Sequence, residues 1–275
     1  MRVVDRTDEP NAVWHITSRV NWRAWHLEPE QAANTFLECL GNAGDRFGVD
    51  LKADVVMSNH YHLVAQSPNE DIYLRLTGRR TIGRHFRPWP ARHPKSTVIG
   101  QFIREVKLKV AKRLQGAMGL KGHFWEGRHH RRRLHDEWAM VIAVAYDHRN
   151  PVKEGMVARP EEYDRSSARW WTTGGPSAVP LCRRSDFPFG VPLEVFRAHL
   201  VRFQQEKALD GVMKRFQESG LPIDSARGRA YLEKLLKEAG LDPLAGPPGC
   251  DSTGALRSPQ LTTEQSVTPV SQVNS

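Results

Sequence analysis

The stretch Leu51-Lys52-Ala53-Asp54-Val55-Val56-Met57-Ser58-Asn59-His60-Tyr61-His62-Leu63-Val64-Ala65 decides the fold. Two runs of β-forming residues, 51–57 and 60–65, flank Ser58-Asn59, a pair suited to a turn. Strands joined by so short a connection pair antiparallel. Upstream, residues 12–20 (AVWHITSRV) read as another strand, and Ala32, Ala33, Phe36, Leu37, Leu40, Ala43 and Phe47 recur at helical spacing up to Gly48. Downstream, residues 78–96 are basic and broken by prolines, and read as a loop. Ile99, Phe102, Ile103, Val106, Val110 and Leu114 then predict a helix that Gly119 and Gly122 punctuate. Residues 123–134 read as a further strand. Asp136 is placed to N-cap a helix through Trp138, Val141, Ile142, Val144 and Ala145, and Pro151 is expected to end it. The result is an α+β unit with an antiparallel sheet.

The chain has 275 residues, enough for one domain with an appendage. Hydrophobic residues make up 39%, which allows a packed core, and no run of about 18 apolar residues suggests a membrane span. The N-terminal residues lack an apolar signal core, so a cytoplasmic, nucleoid-associated location is expected. Cys39, Cys182 and Cys250 lie far apart with neither metal nor disulfide spacing. The formal net charge of +9 favours a polyanionic partner, because each neutralised phosphate releases condensed counterions. Residues 171–192 read as a linker, 193–240 as a helical appendage, and 245–275 as a disordered tail rich in Pro, Gly, Ser and Thr.

Alternation along a strand puts His60 and His62 on one face and Tyr61 on the other. Two imidazoles on one face can grip a divalent ion, and they can equally flank a core aromatic without one. At the end of the later helix, Tyr146 and Asn150 are four residues apart and share a face. An amide oxygen is an acceptable ligand for a hard ion, and a phenol is a nucleophile once deprotonated. The same two residues also suit a packed aromatic and a cap before proline.

In combination these segments are more specific. The residues 57–64 (MSNHYHLV), 122–128 (GHFWEGR), 146–152 (YDHRNPV) and 163–167 (YDRSS), with 155–157 (GMV) before the last, occur in one order. That series resembles the REP-associated tyrosine transposases, a branch of the IS200-like single-strand DNA transposases, across residues 10–170. The resemblance implies a ferredoxin-like or RRM-like antiparallel sheet flanked by helices. It implies that Tyr146 attacks a phosphodiester to leave a 5′-phosphotyrosine and a free 3′-hydroxyl. It also implies that His60, His62 and Asn150 hold Mg²⁺ or Mn²⁺. The substrate would be single-stranded DNA with hairpins, repetitive palindromes or transposon ends, cleaved and rejoined without ATP.

Basic residues offer a track for that strand. Lys121, Arg128, Arg131, Arg132 and Arg133 cluster beside Trp125, an aromatic able to stack on unpaired bases, and Arg79, Arg80 and Arg84 form a second cluster. Each has an ordinary alternative as a solvated charge or a core aromatic. Three rival functions fit parts of the pattern. A rolling-circle initiator or relaxase shares the chemistry but usually carries further domains or tyrosines. A non-catalytic hairpin-binding regulator needs no such set of His60, His62, Tyr146 and Asn150. An RNA-binding module would prefer RNA hairpins and form no covalent product.

Overall fold

A computed structural model describes residues 9–77, 97–184, 187–221 and 225–241. Four strands form one antiparallel sheet: β1 (Val13–Arg19), β2 (Asp50–Val56), β3 (His60–Gln66) and β4 (His130–Leu134), in the spatial order β2-β3-β1-β4. With α1 (Glu30–Phe47) between β1 and β2, and α3 (Val98–Met118) between β3 and β4, this is the ferredoxin-like α+β arrangement. A short helix α2 (Glu70–Thr77), for which the sequence reading had no element, follows β3.

Strand alternation sorts the residues into two layers. Trp14, Ile16, Tyr61, Leu63 and Ala65 point to a core shared with Phe36 and Leu40 of α1 and Phe102 and Val106 of α3. Val13, Val64 and Leu134 point the other way, into a second core with Met140, Val141 and Val144 of α4 (Glu137–Lys153). Histidines 15, 60 and 62 share this second face. Gly48 closes α1 at φ 60, and a Cβ there would meet Ile72 of α2 at 2.8 Å, so this position demands glycine.

The second layer is broad. Helix α5 (Ala168–Thr173) and helices α6 (Leu193–Gln205), α7 (Ala208–Glu218) and α8 (Ala226–Glu238) complete it, with α6 and α7 against α4. Residues 174–184, read as linker from the sequence, run along the edge of β2: Cys182 N–H donates to Leu51 O, and Val179 and Leu181 enter the first core. Lys52 and Asp50 form a buried ion pair at 2.6 Å beneath this segment, and the backbone N–H of Arg183 donates to the same carboxylate.

Two boundaries differ from expectation. Helix α4 continues through Pro151 to Lys153. Proline there removes a single helical donor within the last turn, where Glu154 N–H bonds Asn150 O and Met156 N–H bonds Pro151 O to finish the helix. The strand expected over 123–134 is reduced to His130–Leu134 plus one bridge between Val20 and Trp125. Gly127, at φ 123, interrupts the extended run between them. Asp136 caps α4 as expected, its side chain accepting from Ala139 N–H at 2.8 Å. The tail at 245–275, Cys250, and the basic residues Arg79, Arg80 and Arg84 lie outside the described residues.

Candidate functional site

Adjacent strands bring the histidines together. On β3, the rings of His60 and His62 lie 5.0 Å apart, and across the ladder Arg19 and Thr17 of β1 stand opposite them. His15 of β1 stacks on His62 at 5.8 Å. The helix above the sheet supplies the fourth group. Asp147, 1% exposed, places Oδ1 at 2.9 Å from His62 Nδ1 and Oδ2 at 3.0 Å from His15 Nε2. His15, His62 and Asp147 thus offer ligand atoms all within 4.8 Å of one another, a grouping able to hold a metal ion. His62 Nδ1 and Asp147 Oδ2 are buried, each within about 3.0 Å of its neighbour across the cluster, yet neither makes an aligned hydrogen bond. Buried polar atoms in that state suit coordination of an ion.

The tautomer of His60 follows from its neighbour. The Asn59 amide nitrogen donates to Arg23 O at 3.2 Å, so the Asn59 oxygen is the atom left to face His60 Nδ1, at 2.7 Å. That oxygen can only accept, so Nδ1 of His60 carries the proton and Nε2 keeps its lone pair. Burial pushes the His60 pKa down to about 3, helped by His62 and Arg19 and opposed by Asp147. A neutral imidazole with an available nitrogen is the form that ligates metals. Burial alone would raise the Asp147 pKa, but His15 and His62 beside it hold the carboxyl well below the usual carboxylate range.

The end of α4 carries four buried polar residues in succession, Asp147, His148, Arg149 and Asn150. His148 hydrogen-bonds Ser167 Oγ at 2.8 Å on one side and Gln204 of α6 on the other. Burial pushes its pKa down to about 3, so it sits there neutral. Arg149 forms a paired contact with Asp210 of α7, at 2.9 and 2.7 Å, and also donates to Gln204 O. Asn150 is 7% exposed, and its amide nitrogen has no hydrogen-bond partner.

Tyr146 points elsewhere. One residue before Asp147, it is turned by about 100° around the helix, and its hydroxyl accepts from Gln217 Nε2 of α7 at 3.1 Å. Lys153 Nζ lies 5.8 Å from the centre of its ring. The phenol therefore rests against α7 while its neighbour Asp147 contacts the histidines.

The basic candidates divide. Lys121, Arg128 and Arg132 are exposed. Arg131 donates to Thr97 Oγ1 at 2.7 Å and lies over Trp14 at 4.7 Å, whereas Arg133 pairs with Glu9 at 2.6 Å. Trp125 is packed among Phe36, Tyr61 and Phe124, and its indole N–H donates to Lys107 O at 2.9 Å. Its segment works as a strut: Glu126 N–H donates to Arg19 O, and half-buried Lys107 donates to Ser18 Oγ and Gly127 O. The segment 163–167 is likewise a clamp on β2, with Tyr163 OH donating to Val56 O and Ser167 Oγ bonding the Asp54 backbone.

Two members of the cluster, His15 and Asp147, were not singled out from the sequence. The signal for His15 was available, because it shares the alternation phase of Val13 and Thr17 on a strand that neighbours β3. Asp147 is three residues before Asn150, a spacing that also shares a helix face.

No protein-family profile matches the chain. No curated protein matches it either. Among solved structures, it is similar to a REP-associated tyrosine transposase bound to a REP hairpin, with 18% identity over 70% of this chain and 98% of that one and a TM-score of 0.45. It is also similar to a candidate transposase from Deinococcus radiodurans r1, with 16% identity over 52% of this chain and 92% of that one and a TM-score of 0.31.

Proposed function

We propose that this chain is a metal-dependent enzyme that cleaves and rejoins single-stranded hairpin DNA through Tyr146. The observation that carries the reading is the convergence of His60, His62, His15 and Asp147 at the end of α4, beside the tyrosine and asparagine of the transposase-like motif. Two imidazoles and one oxygen ligand from α4, either the Asp147 carboxylate or the Asn150 amide, form a nitrogen–oxygen set that suits Mn²⁺ and accommodates Mg²⁺. When bound, the ion would polarise the scissile phosphate as a Lewis acid.

The chain's own residues supply the rest. Asn59 holds the proton on His60 Nδ1, so Nε2 stays available. Tyr146 Oη attacks phosphorus once its proton is lost, the P–O3′ bond breaks, and the leaving 3′-oxygen takes up a proton to become a hydroxyl. Attack by a 3′-hydroxyl on the phosphotyrosine reverses the step and joins strands. For that attack, the phenol must leave Gln217 and swing toward the sheet. Exposed Lys121, Arg128 and Arg132 flank the phosphate path, joined in this proposal by Arg79, Arg80 and Arg84.

The contact between Tyr146 and Gln217 favours one second reading, a hairpin-binding regulator that does not cleave. The two readings separate on a denaturing gel of the protein with labelled hairpin oligonucleotides and Mn²⁺, beside Tyr146→Phe and a chelator. A covalent band lost in both controls is expected. Tight hairpin binding with no band across several metals and substrates would leave the regulator reading in its place.

A further inference from the structure

Two tryptophans stand in solvent at the end of the sheet where His60 lies. Trp22 is 90% exposed and Trp25 63%, whereas Trp14 and Trp171 are fully buried. They belong to the loop from Val20 to Leu27, and the backbone beneath them is strained. Trp22 and Arg23 are consecutive non-glycine residues in the left-handed region, at φ 57 and 55, where the side-chain Cβ crowds the following carbonyl oxygen. Burial of the Trp22 indole offsets none of this. Hydrogen bonds hold the loop instead: Val20 N–H to Asn59 O at 2.8 Å, Leu27 N–H to Ser58 O at 2.9 Å, and Asn21 N–H to Phe124 O at 2.8 Å. The Asn21 side chain also accepts from Trp22 N–H. Strain of this kind, fixed by its surroundings, marks places where a side chain is presented for use.

The loop is wired to the histidine face. The Asn59 side chain that bonds Arg23 O also contacts His60 Nδ1, so one amide connects the tryptophan loop to the imidazole. Exposed cations surround the same end: Arg19 opposite His60 on β1, Arg23 within the loop, and Arg128 beyond the Val20–Trp125 bridge. Glu28 and Glu126 are the exposed acids nearest in sequence. Flat aromatic faces beside guanidinium groups match the chemistry of an unpaired nucleotide, which offers a base to stack and a phosphate to neutralise. Bases inside a duplex have their faces covered, so such a surface selects single strands.

We propose that Trp22 and Trp25 form a stacking platform for unpaired bases of the DNA strand that reaches the His60 end of the sheet. The proposal rests on the reading of this chain as a single-strand DNA enzyme and adds the element that holds the unpaired flank. Trp125, the aromatic the sequence offered for stacking, packs against the first core, and Trp22 and Trp25 are the tryptophans more fully in solvent.

The test uses the full chain and fluorescence anisotropy with three oligonucleotides. They are a blunt hairpin, the same hairpin with a single-stranded thymidine extension, and one whose extension carries abasic sites. Trp22→Ala/Trp25→Ala is expected to bind the extended hairpin about 10- to 100-fold more weakly than the unaltered chain. Its affinity for the blunt hairpin should not change, and Trp22→Phe should keep most of the wild-type value. Abasic sites should weaken the unaltered chain and leave the double variant unaffected. Equal loss on blunt and extended hairpins overturns the platform, as does unchanged binding of the extension. Unchanged binding of the extension, with the unaltered chain sedimenting as a dimer and the double variant as a monomer, would assign these tryptophans to a contact between copies instead. The two readings also fail separately. Tryptophan-dependent binding of the extension without any Tyr146 adduct sinks the cleavage reading and keeps the platform, whereas an adduct with tryptophan-independent binding sinks only the platform.

Discussion

Asp147 and Asn150 lie three residues apart on α4 and compete for one role, the oxygen ligand beside His60 and His62. The burial and histidine contacts of Asp147 favour it. Asp147→Ala is therefore expected to weaken Mn²⁺ binding about 10- to 100-fold, and Asn150→Ala to weaken it less, as read by Mn²⁺ titration followed by electron paramagnetic resonance. The reverse order would return the asparagine to the ligand set and make Asp147 an orienting partner of His62. A second residue-scale prediction concerns Asp54, 3% exposed on β2, whose Oδ1 has no hydrogen-bond partner. Burial raises its pKa to about 7. The folded chain thus holds this proton more tightly than the unfolded one, so the contribution to stability is complete below about pH 4 and is lost as pH rises toward 7. Asp54→Asn should remove that loss, gaining on the order of a few kcal/mol at pH 8 relative to pH 4 in urea titrations. Parallel pH profiles for the two proteins would contradict the assignment. At this scale, the sequence places His60 and His62 on one face of β3, because alternation on a strand is local. Asp147 escaped it because its partners on β1 and β3 come from 132 and 85 residues away, and pairing at that range is a tertiary fact.

Elements were more legible than their ends. The hairpin of β2 and β3, the two helices of the first layer and the capped start of α4 follow from periodicity and turn chemistry, which act within a few residues. Where the reading departed, a longer-range influence decided. Pro151 is carried inside α4 because the last turn is enclosed by the sheet and by α6 and α7, and four buried polar residues just before it find or await partners there. Helix α2 spans only eight residues, too short for a helical period to stand out, and Ile72 seats it close against Gly48. Caps remain local and testable. Asp136 accepts from Ala139 N–H with good geometry, so Asp136→Ala should cost about 1 kcal/mol of global stability. Asp136→Ser should recover most of it in the same denaturation series. If both variants lose stability equally, the long contact of Asp136 with Arg229 at 3.6 Å matters more than the cap.

On the scale of the molecule, the helices after residue 192 bear on whether residues 10–170 form a self-sufficient unit. A separable appendage would leave residues 10–170 folded when it is removed. The packing argues otherwise. Phe196, Leu200 and Phe203 of α6, and Leu209, Val212 and Phe216 of α7, are buried in the same core as Met140, Val141 and Val144 of α4. Trp138 of α4 packs edge-on against His199 and Phe203, and Arg149 is anchored by Asp210 and the Gln204 carbonyl. Each fully buried large apolar side chain contributes about 1.5–3 kcal/mol, so losing six of them is comparable to the whole of the roughly 5–15 kcal/mol that holds a typical domain together. A chain ending at residue 192 is expected to lose its cooperative thermal transition and to bind a hydrophobic dye, with the end of α4 freed along with Asp147 and Tyr146. A milder probe keeps the chain whole. Arg149→Ala leaves Asp210 without its guanidinium partner and should cost about 3 kcal/mol, and pairing it with Asp210→Ala should recover part of that loss. Cooperative melting of the shortened chain near the full-length temperature would show instead that α4 can be covered by other means, and the helices after residue 192 would then be free to serve DNA or a partner.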